Sequence, residues 1–299
     1  MSRDHGLRVV REESIVPVGA RFDPRRLRRT PVRALRGGAD GVAVRFSFGG
    51  GALGVAVLAA GACTDDDVAW ALDRARGISA VDDDPDPFLR AVAEHPLLGR
   101  LSRQYDARLT RAPTLFESLA HAIIGQLVTT AEASASVARL WGIAGELVAG
   151  TDLRAAPTPA AVKRVPMWKM HAIGVGSRRA TTLNECAKRG AAIERLRDAA
   201  PEVALEKLMT LRGVGPWTAN LAVGGGMGWS DAVPVGDLHA PRIITQALLG
   251  EAGGDAEMLA ALEPFRPHRA RAAKLLVRTA VRDGPRPKVD RHRREPWRY

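Results

Sequence analysis

Cysteine occurs only twice in 299 residues, at Cys63 and Cys186, tyrosine is also present twice, and all aromatics together make up 5% of the chain. Two cysteines so far apart cannot build a four-cysteine iron–sulfur or zinc site, and they suit a reducing compartment better than a disulfide-stapled secreted protein. Scarce aromatics disfavour a single-strand binder that stacks successive bases on ring platforms. No uninterrupted apolar run of about 18 residues occurs, so nothing reads as a membrane span. The opening MSRDHGLRVVREE has charges but no apolar core behind them, which argues against a signal peptide. The expectation is a cytoplasmic protein with no membrane partner.

Positive charge is what the chain has in excess. Lysine and arginine number 44 against 33 acids, a formal net charge of +11, which favours a polyanionic partner. Part of the excess is clustered in RFDPRRLRRTPVR at 21–33 and RDGPRPKVDRHRREPWR at 282–298, both broken by prolines. Each segment fits either a nucleic-acid contact or a solvated arm. A hydrophobic fraction of 46% is ordinary for a globular protein, and the length allows a sizeable core in two or three lobes.

Along the chain the texture changes once. VAVRFSF at 42–48 and LGVAVLA at 53–59, joined across a glycine run, read as two short strands. Thr64, followed by three aspartates with Asp67 at the third position, has the form of a capping box opening a helix. The expectation for residues 1–84 is therefore a small α+β lobe. After DDDPDPF, residues 85–299 read as helical. One helical stretch is expected over 113–142, where Leu115, Leu119, Ala122, Ile123 and Leu127 recur at three- and four-residue spacing. Shorter helices are expected at 158–165, 176–190, 201–210, 216–224, 239–249, 255–262 and 268–281. A G-V-G ahead of a helix occurs twice, in HAIGVGSRRATTL at 171–183 and in TLRGVGPWTANL at 210–221.

The second of these reads as helix, tight hairpin, helix. Gly213 and Gly215 allow positive φ and close backbone approach to a ligand, and Pro216 suits a first helical turn. Amides of Val214, Gly215 and the following turn are expected to be free to seat a phosphate oxygen, with the Thr218 hydroxyl adding to them. An ordinary glycine-rich corner is the bland alternative. Asp237, between PVG and the apolar-faced LHAPRIITQALL, stands at or just before a helix start, where a carboxylate is stabilised and where a simple N-cap competes with catalysis as its role. Asp231, in SDA, reads as part of a surface turn.

LRGVGPWTANLAV followed by the aspartate of VPVGDL resembles the helix-hairpin-helix (HhH-GPD) DNA glycosylases. Within them the chain is similar to 3-methyladenine DNA glycosylase II, the AlkA type. LFESLAHAIIGQLVTTAEASASVARLWG at 115–142, with its G-Q-L turn, and FRPHRARAAKLL at 265–276 fit the same order. The likeness covers about 85–299. It implies a mainly α fold of two helical lobes, roughly 112–230 and 85–111 plus 231–299, around a cleft, with the α+β lobe in front and a basic tail at 282–299. It also implies a monomer acting on double-stranded DNA that contains a damaged base.

The resemblance assigns roles residue by residue. Asp237 matches the essential aspartate that stabilises positive charge on the deoxyribose as the N-glycosidic bond breaks. Leu127 matches the wedge that fills the duplex after the nucleotide is flipped out, with Gln126 approaching the same gap; from composition alone Leu127 is one more core leucine. Trp217 matches an aromatic at the wall of the base pocket, although covering the core is an alternative. Leu221 and His268 stand where the enterobacterial type has pocket aromatics, so the pocket is expected to be less aromatic, and a helix-surface histidine is the blander reading of His268. The resemblance implies a hairpin seat for a monovalent cation, Na+ or K+, made by the carbonyls of Met209, Leu211 and Val214. No cofactor is required and no iron–sulfur cluster is expected. Relatives that cleave the strand carry a lysine two residues past the second hairpin glycine, which forms a Schiff base with the sugar. Here that residue is Trp217, so hydrolysis without β-elimination is expected. Sequence alone leaves open a glycosylase for uracil, hypoxanthine or an oxidised base, and a catalytically silent DNA-binding protein.

Overall fold

The computed structural model describes residues 7–19, 22, 32–35, 41–149 and 152–283. Most of the two arginine-rich segments, including 23–31 and 284–299, lies outside the described residues.

Four antiparallel strands, β1 (Arg8–Ile15), β2 (Val32–Leu35), β3 (Val42–Gly49) and β4 (Ala52–Ala59), form one sheet in the order β1-β4-β3-β2. The expected β3–β4 hairpin is present, with Val44 opposite Val57 and Phe46 opposite Val55. Strands β1 and β2 were not expected. They are the two edges of the sheet, and the charges of RVVREESI hide the alternation that marks a half-buried strand, as is usual where an edge must resist further pairing. Helix α1 (Asp65–Ser79) starts with the reciprocal cap, Thr64 Oγ1 accepting from the Asp67 amide at 3.1 Å and Asp67 accepting from the Thr64 amide at 3.0 Å. Its Val68, Leu72 and Ala75 close over Val44, Phe46, Val55 and Val57 in one buried core.

The remainder is helical: α2 (Asp86–Ala91), α3 (Pro96–Gln104), α4 (Leu115–Ile124), α5 (Thr130–Ala144), α6 (Pro159–Lys163), α7 (Met167–Ala172), α8 (Ser177–Lys188), α9 (Gly190–Arg195), α10 (Pro201–Met209), α11 (Pro216–Met227), α12 (Ala240–Leu249), α13 (Asp255–Leu262) and α14 (Arg269–Asp283). The fold is thus mainly α, with a small antiparallel sheet at the N-terminal end. Among the described residues no helix is long and apolar enough to cross a membrane.

The stretch 113–142 is two helices, not one. Apolar spacing continues through Leu127, but Thr129 and Glu132 form a second reciprocal cap that starts a new helix at Thr130, and the chain turns at Gly125–Val128 between them. The T-T-A-E string that starts α5 is legible in the sequence once the periodicity is set aside.

Two helical cores result. One surrounds α4, where Leu115, Leu119, Ile123 and Ile124 meet Val175, Leu183, Leu208, Val214 and Val223. The other joins Phe88, Val92 and Leu98 to Ile244, Met258, Leu262, Ala272 and Leu276. Helices α4 and α11 run antiparallel in close contact: a methyl carbon added at Gly226 would stand 2.7 Å from Leu115 Cδ1, and one at Gly125 would stand 3.6 Å from Trp217 Cη2. This packing sets the loop after α4 beside the hairpin before α11. The loop from α11 to α12 then carries the chain from the first core to the second, and Asp237 lies on it.

Candidate nucleic-acid interface and catalytic aspartate

The hairpin is built as expected at one glycine and differently at the other. Gly213 has φ +84°, and a methyl there would meet Thr182 Oγ1 at 2.2 Å, so the turn and its packing both require glycine. Gly215 is extended at φ −96°, is exposed, and a methyl on it would meet nothing within 4 Å. The Val214 amide is not free for a phosphate: it donates to the Leu211 carbonyl at 3.0 Å while the valine side chain is buried in the core. Thr218 is 2% exposed, and its hydroxyl accepts from Gln126 Nε2 at 2.8 Å, so it faces the protein. What stays open to a phosphate is Gly215 and the N-terminal turn of α11, whose first amides lack helical partners.

Gln126 is turned toward the hairpin. Its amide group bridges to the Gly213 carbonyl at 3.0 Å and to Thr218, tying the loop after α4 to the hairpin. Arg179, which the sequence reading passed over, holds the same loop from the other side by donating to the Ile124 carbonyl at 2.6 Å and to the Gly174 carbonyl at 3.0 Å. It follows the first G-V-G, whose geometry repeats that of the hairpin: Gly174 has φ +92° and Val175 is fully buried. On the loop so fixed, Leu127 is 98% exposed and has φ +55°. It is not a core leucine.

Asp237 has both carboxylate oxygens engaged. Oδ1 accepts from the amides of His239 and Ala240, each at 2.8 Å, which caps α12; Oδ2 accepts from Trp217 Nε1 at 2.8 Å. Burial pushes its pKa up, but the Ala240 and His239 amides, the Trp217 indole and the nearby His239 together outweigh it, so the carboxyl is held below its ordinary value. Capping and a site role are therefore compatible, because one oxygen serves the helix and the other faces the hairpin.

Leu221 lies one turn beyond Trp217 on α11 and is 38% exposed. His268 lies just ahead of α14 and is half-buried. Its ring packs edge-on to Phe88 at 6.1 Å, its amide donates to the Phe265 carbonyl, and burial, then Arg271, lowers its pKa. None of these contacts involves Trp217 or Asp237. Asp231 is not in a surface turn: it is 4% exposed and paired with Arg269 at 2.7 Å and Arg266 at 2.9 Å. Its short neighbours Ser230 and Ala232 gave no sign of the arginines 35 and 38 residues further along. The carbonyls of Met209, Leu211 and Val214 are hard oxygen donors of the kind a monovalent cation takes. Leu211 spends one lone pair on the Val214 amide and keeps a second, so the set fits such an ion.

No protein-family profile matches the chain, and no curated protein matches it by sequence. Solved structures do match. A 3-methyladenine DNA-glycosylase from Archaeoglobus fulgidus has a TM-score of 0.74 at 21% identity, over 92% of this chain and 99% of its own. MBOgg1 in complex with a low-affinity DNA ligand has a TM-score of 0.65 at 20% identity, over 82% of this chain and 86% of its own. The 8-oxoguanine glycosylase/lyase of Clostridium acetobutylicum, in complex with double-stranded DNA, has a TM-score of 0.60 at 15% identity, over 82% and 87%. At such identities the likeness is one of fold.

Proposed function

Because the chain has the fold of 3-methyladenine and 8-oxoguanine DNA glycosylases, we propose that it is a monofunctional DNA glycosylase. It hydrolyses the N-glycosidic bond of alkylated purines of the 3-methyladenine kind in duplex DNA and so starts base excision repair. The observation that carries this reading is Asp237: an ionised carboxylate held by three N–H groups, next to the hairpin and two residues' reach from the exposed Gly215–Pro216 turn through Trp217.

Chemistry at a glycosidic bond inside a duplex requires the nucleotide to be flipped out, at a cost of a few kcal/mol. Leu127, exposed on its pinned loop, fills the space the base leaves. The Gly215 turn holds a backbone phosphate without reading sequence; the carbonyls of Met209, Leu211 and Val214 would hold a monovalent cation, which would supply positive charge to that phosphate. The C1′–N bond then breaks with its electron pair leaving on the base. The oxocarbenium-like sugar is stabilised by Asp237, whose fixed charge needs no reorganisation as the reaction proceeds. Water adds at C1′ and loses a proton to solvent or to the departing base, giving a free base and an intact abasic strand. Trp217 occupies the position of the lysine that a lyase needs, so no Schiff base forms. The protein works as a monomer in the cytoplasm.

Asp237→Asn tests the assignment. The amide oxygen keeps the cap while the NH2 faces the Trp217 N–H, so stability should fall by about 1 kcal/mol and duplex binding should persist. Single-turnover excision from a panel of duplexes carrying alkylated, deaminated or oxidised bases should drop by a factor of about 100 or more. An excision rate within a few-fold of wild type would leave Asp237 as a cap alone, and a borohydride-trapped protein–DNA adduct in good yield would overturn the hydrolytic route.

A further inference from the structure

Trp217 makes contacts that a base-stacking wall does not need. Its Nε1 edge donates to Asp237 Oδ2 at 2.8 Å, and the far edge of its six-membered ring lies 3.6 Å from where a side chain on Gly125 would begin. The Cβ end packs 3.8 Å from the corresponding point at Gly236, next to Asp237. The indole thus spans from the aspartate loop to the loop that carries Leu127, two loops that belong to different cores.

A carboxylate offers about four acceptor positions. Two on Oδ1 are taken by the amides of His239 and Ala240, and one on Oδ2 by the indole. One position remains, and it is on Oδ2. With Oδ1 pinned to the helix, the indole is what fixes the direction of that last lone pair. Indole is a donor with no acceptor capacity, so it favours the charged over the protonated carboxyl. The other charged groups at this point are His239, whose charge also favours the carboxylate, and Asp255, whose two oxygens accept from the Gly236 amide at 3.0 Å.

We propose that Trp217 is a positioning residue: its indole N–H orients Asp237 so that a single free lone pair of Oδ2 faces the reacting sugar, while its ring braces the Leu127 loop. This rests on the glycosylase reading and assigns the tryptophan a role through Asp237 rather than through contact with the base. With one acceptor position free, Asp237 acts by charge on the sugar and does not also hold the attacking water.

Trp217→Phe keeps the bulk against Gly125 and removes the donor. Single-turnover excision should fall about tenfold to a hundredfold, the range of a lost hydrogen bond to a charged group. The loss should be the same for a cationic alkylated purine and for neutral hypoxanthine, and the acid limb of the rate–pH profile should move up by about one unit. Affinity for undamaged duplex should stay within about twofold, since phosphate contacts are untouched. A loss confined to the cationic base with an unmoved acid limb would overturn the proposal in favour of stacking. Titration of the Asp237 carboxyl in the unliganded full-length protein, by infrared difference against Asp237→Asn, reads the same bond without activity: its midpoint should rise in Trp217→Phe, and an unchanged midpoint would overturn the proposal. The two readings fail separately. Asp237→Asn with near wild-type excision removes the glycosylase site itself, whereas an inactive Asp237→Asn with an unshifted Trp217→Phe removes only the positioning role.

Discussion

Leu127 combines two costs that a folded chain normally avoids. A left-handed backbone costs a residue with a Cβ about 1–2 kcal/mol, and a leucine exposed to 98% gives nothing back through burial. Two features retain it in that state, the Gln126 bridge to the hairpin and the Arg179 bond to Ile124, which hold the loop from either side. Leu127→Gly should relieve that strain against about 0.5–1 kcal/mol of added chain entropy, so the melting temperature should hold or rise while excision falls. Leu127→Ala should leave stability nearly unchanged and slow excision most where the lesion is well paired, since a mismatch has already met part of the unstacking cost. Thermal unfolding with rates on matched and mismatched duplexes checks both. A stability loss of about 2–5 kcal/mol, the mark of a truncated core leucine, would contradict the exposure and the wedge together.

At the scale of elements, the hairpin separates two glycines that look alike in G-V-G. Gly213→Ala places a methyl 2.2 Å from Thr182 Oγ1 at a positive φ and should destabilise the protein by roughly 1–3 kcal/mol. Gly215→Ala meets open space at an ordinary φ and should leave the melting temperature unchanged. If the first turn of α11 seats a phosphate as proposed, this methyl would crowd it, and binding to lesion-bearing and undamaged duplexes should weaken by similar factors. Filter binding or anisotropy on both duplexes measures this. Loss of lesion discrimination with undamaged binding intact would put Gly215 in the base pocket instead. The same logic of close approach explains Gly225 and Gly226: side chains there would run into Ser118 and Leu115 and keep α11 from α4, and with it the hairpin from the Leu127 loop.

For the whole molecule, the joint between sheet and helices is electrostatic. Arg271 pairs with Asp83 at 2.6 Å, Arg111 with Asp82, and the fully buried Arg108 donates to the carbonyls of Ala80, Asp83, Val18 and Gly19. DDDPDPF is therefore the clasp of the two parts as well as the change of texture between them. Glu117, near the start of α4, adds a pH dependence. Its pKa is raised from 4.5 to about 7, by burial above all, with Arg33 opposing, Glu194 adding and Arg197 opposing. Between pH 4.5 and about 7 the folded protein holds a proton that the unfolded chain has released, so stability falls as pH rises through that window and levels off above it. Glu117→Gln should therefore raise the melting temperature at pH 8, by at most roughly 3 kcal/mol in stability at about 1.4 kcal/mol per pKa unit, and make no difference near pH 4. Denaturation of both proteins across that range decides it, and equal stabilities at pH 8 would mean that the carboxyl is hydrated in the fold.

The sequence by itself determined what depends on neighbours along the chain. The Thr64 cap, the β3–β4 hairpin, the positive φ at Gly213 and the helix start after Asp237 each arise within a few residues, so spacing and residue type reveal them. The order of G-Q-L, G-V-G-P-W and the later aspartate was legible for the same reason, and it led to the fold that the solved structures share. Tertiary structure decided what depends on partners far away. The break after Ile124, masked by an apolar period that runs on to Leu127, is held by Gly213, Thr218 and Arg179, 55 to 92 residues away. Asp231 looked exposed until folding brought Arg266 and Arg269 to it, and the edge-on packing of His268 against Phe88 joins residues that no local pattern relates. The Trp217–Asp237 bond joins residues 20 apart on either side of a core boundary. No local pattern encodes such a pair, because a hydrogen bond across a junction depends on how two cores pack and not on the propensity of either residue.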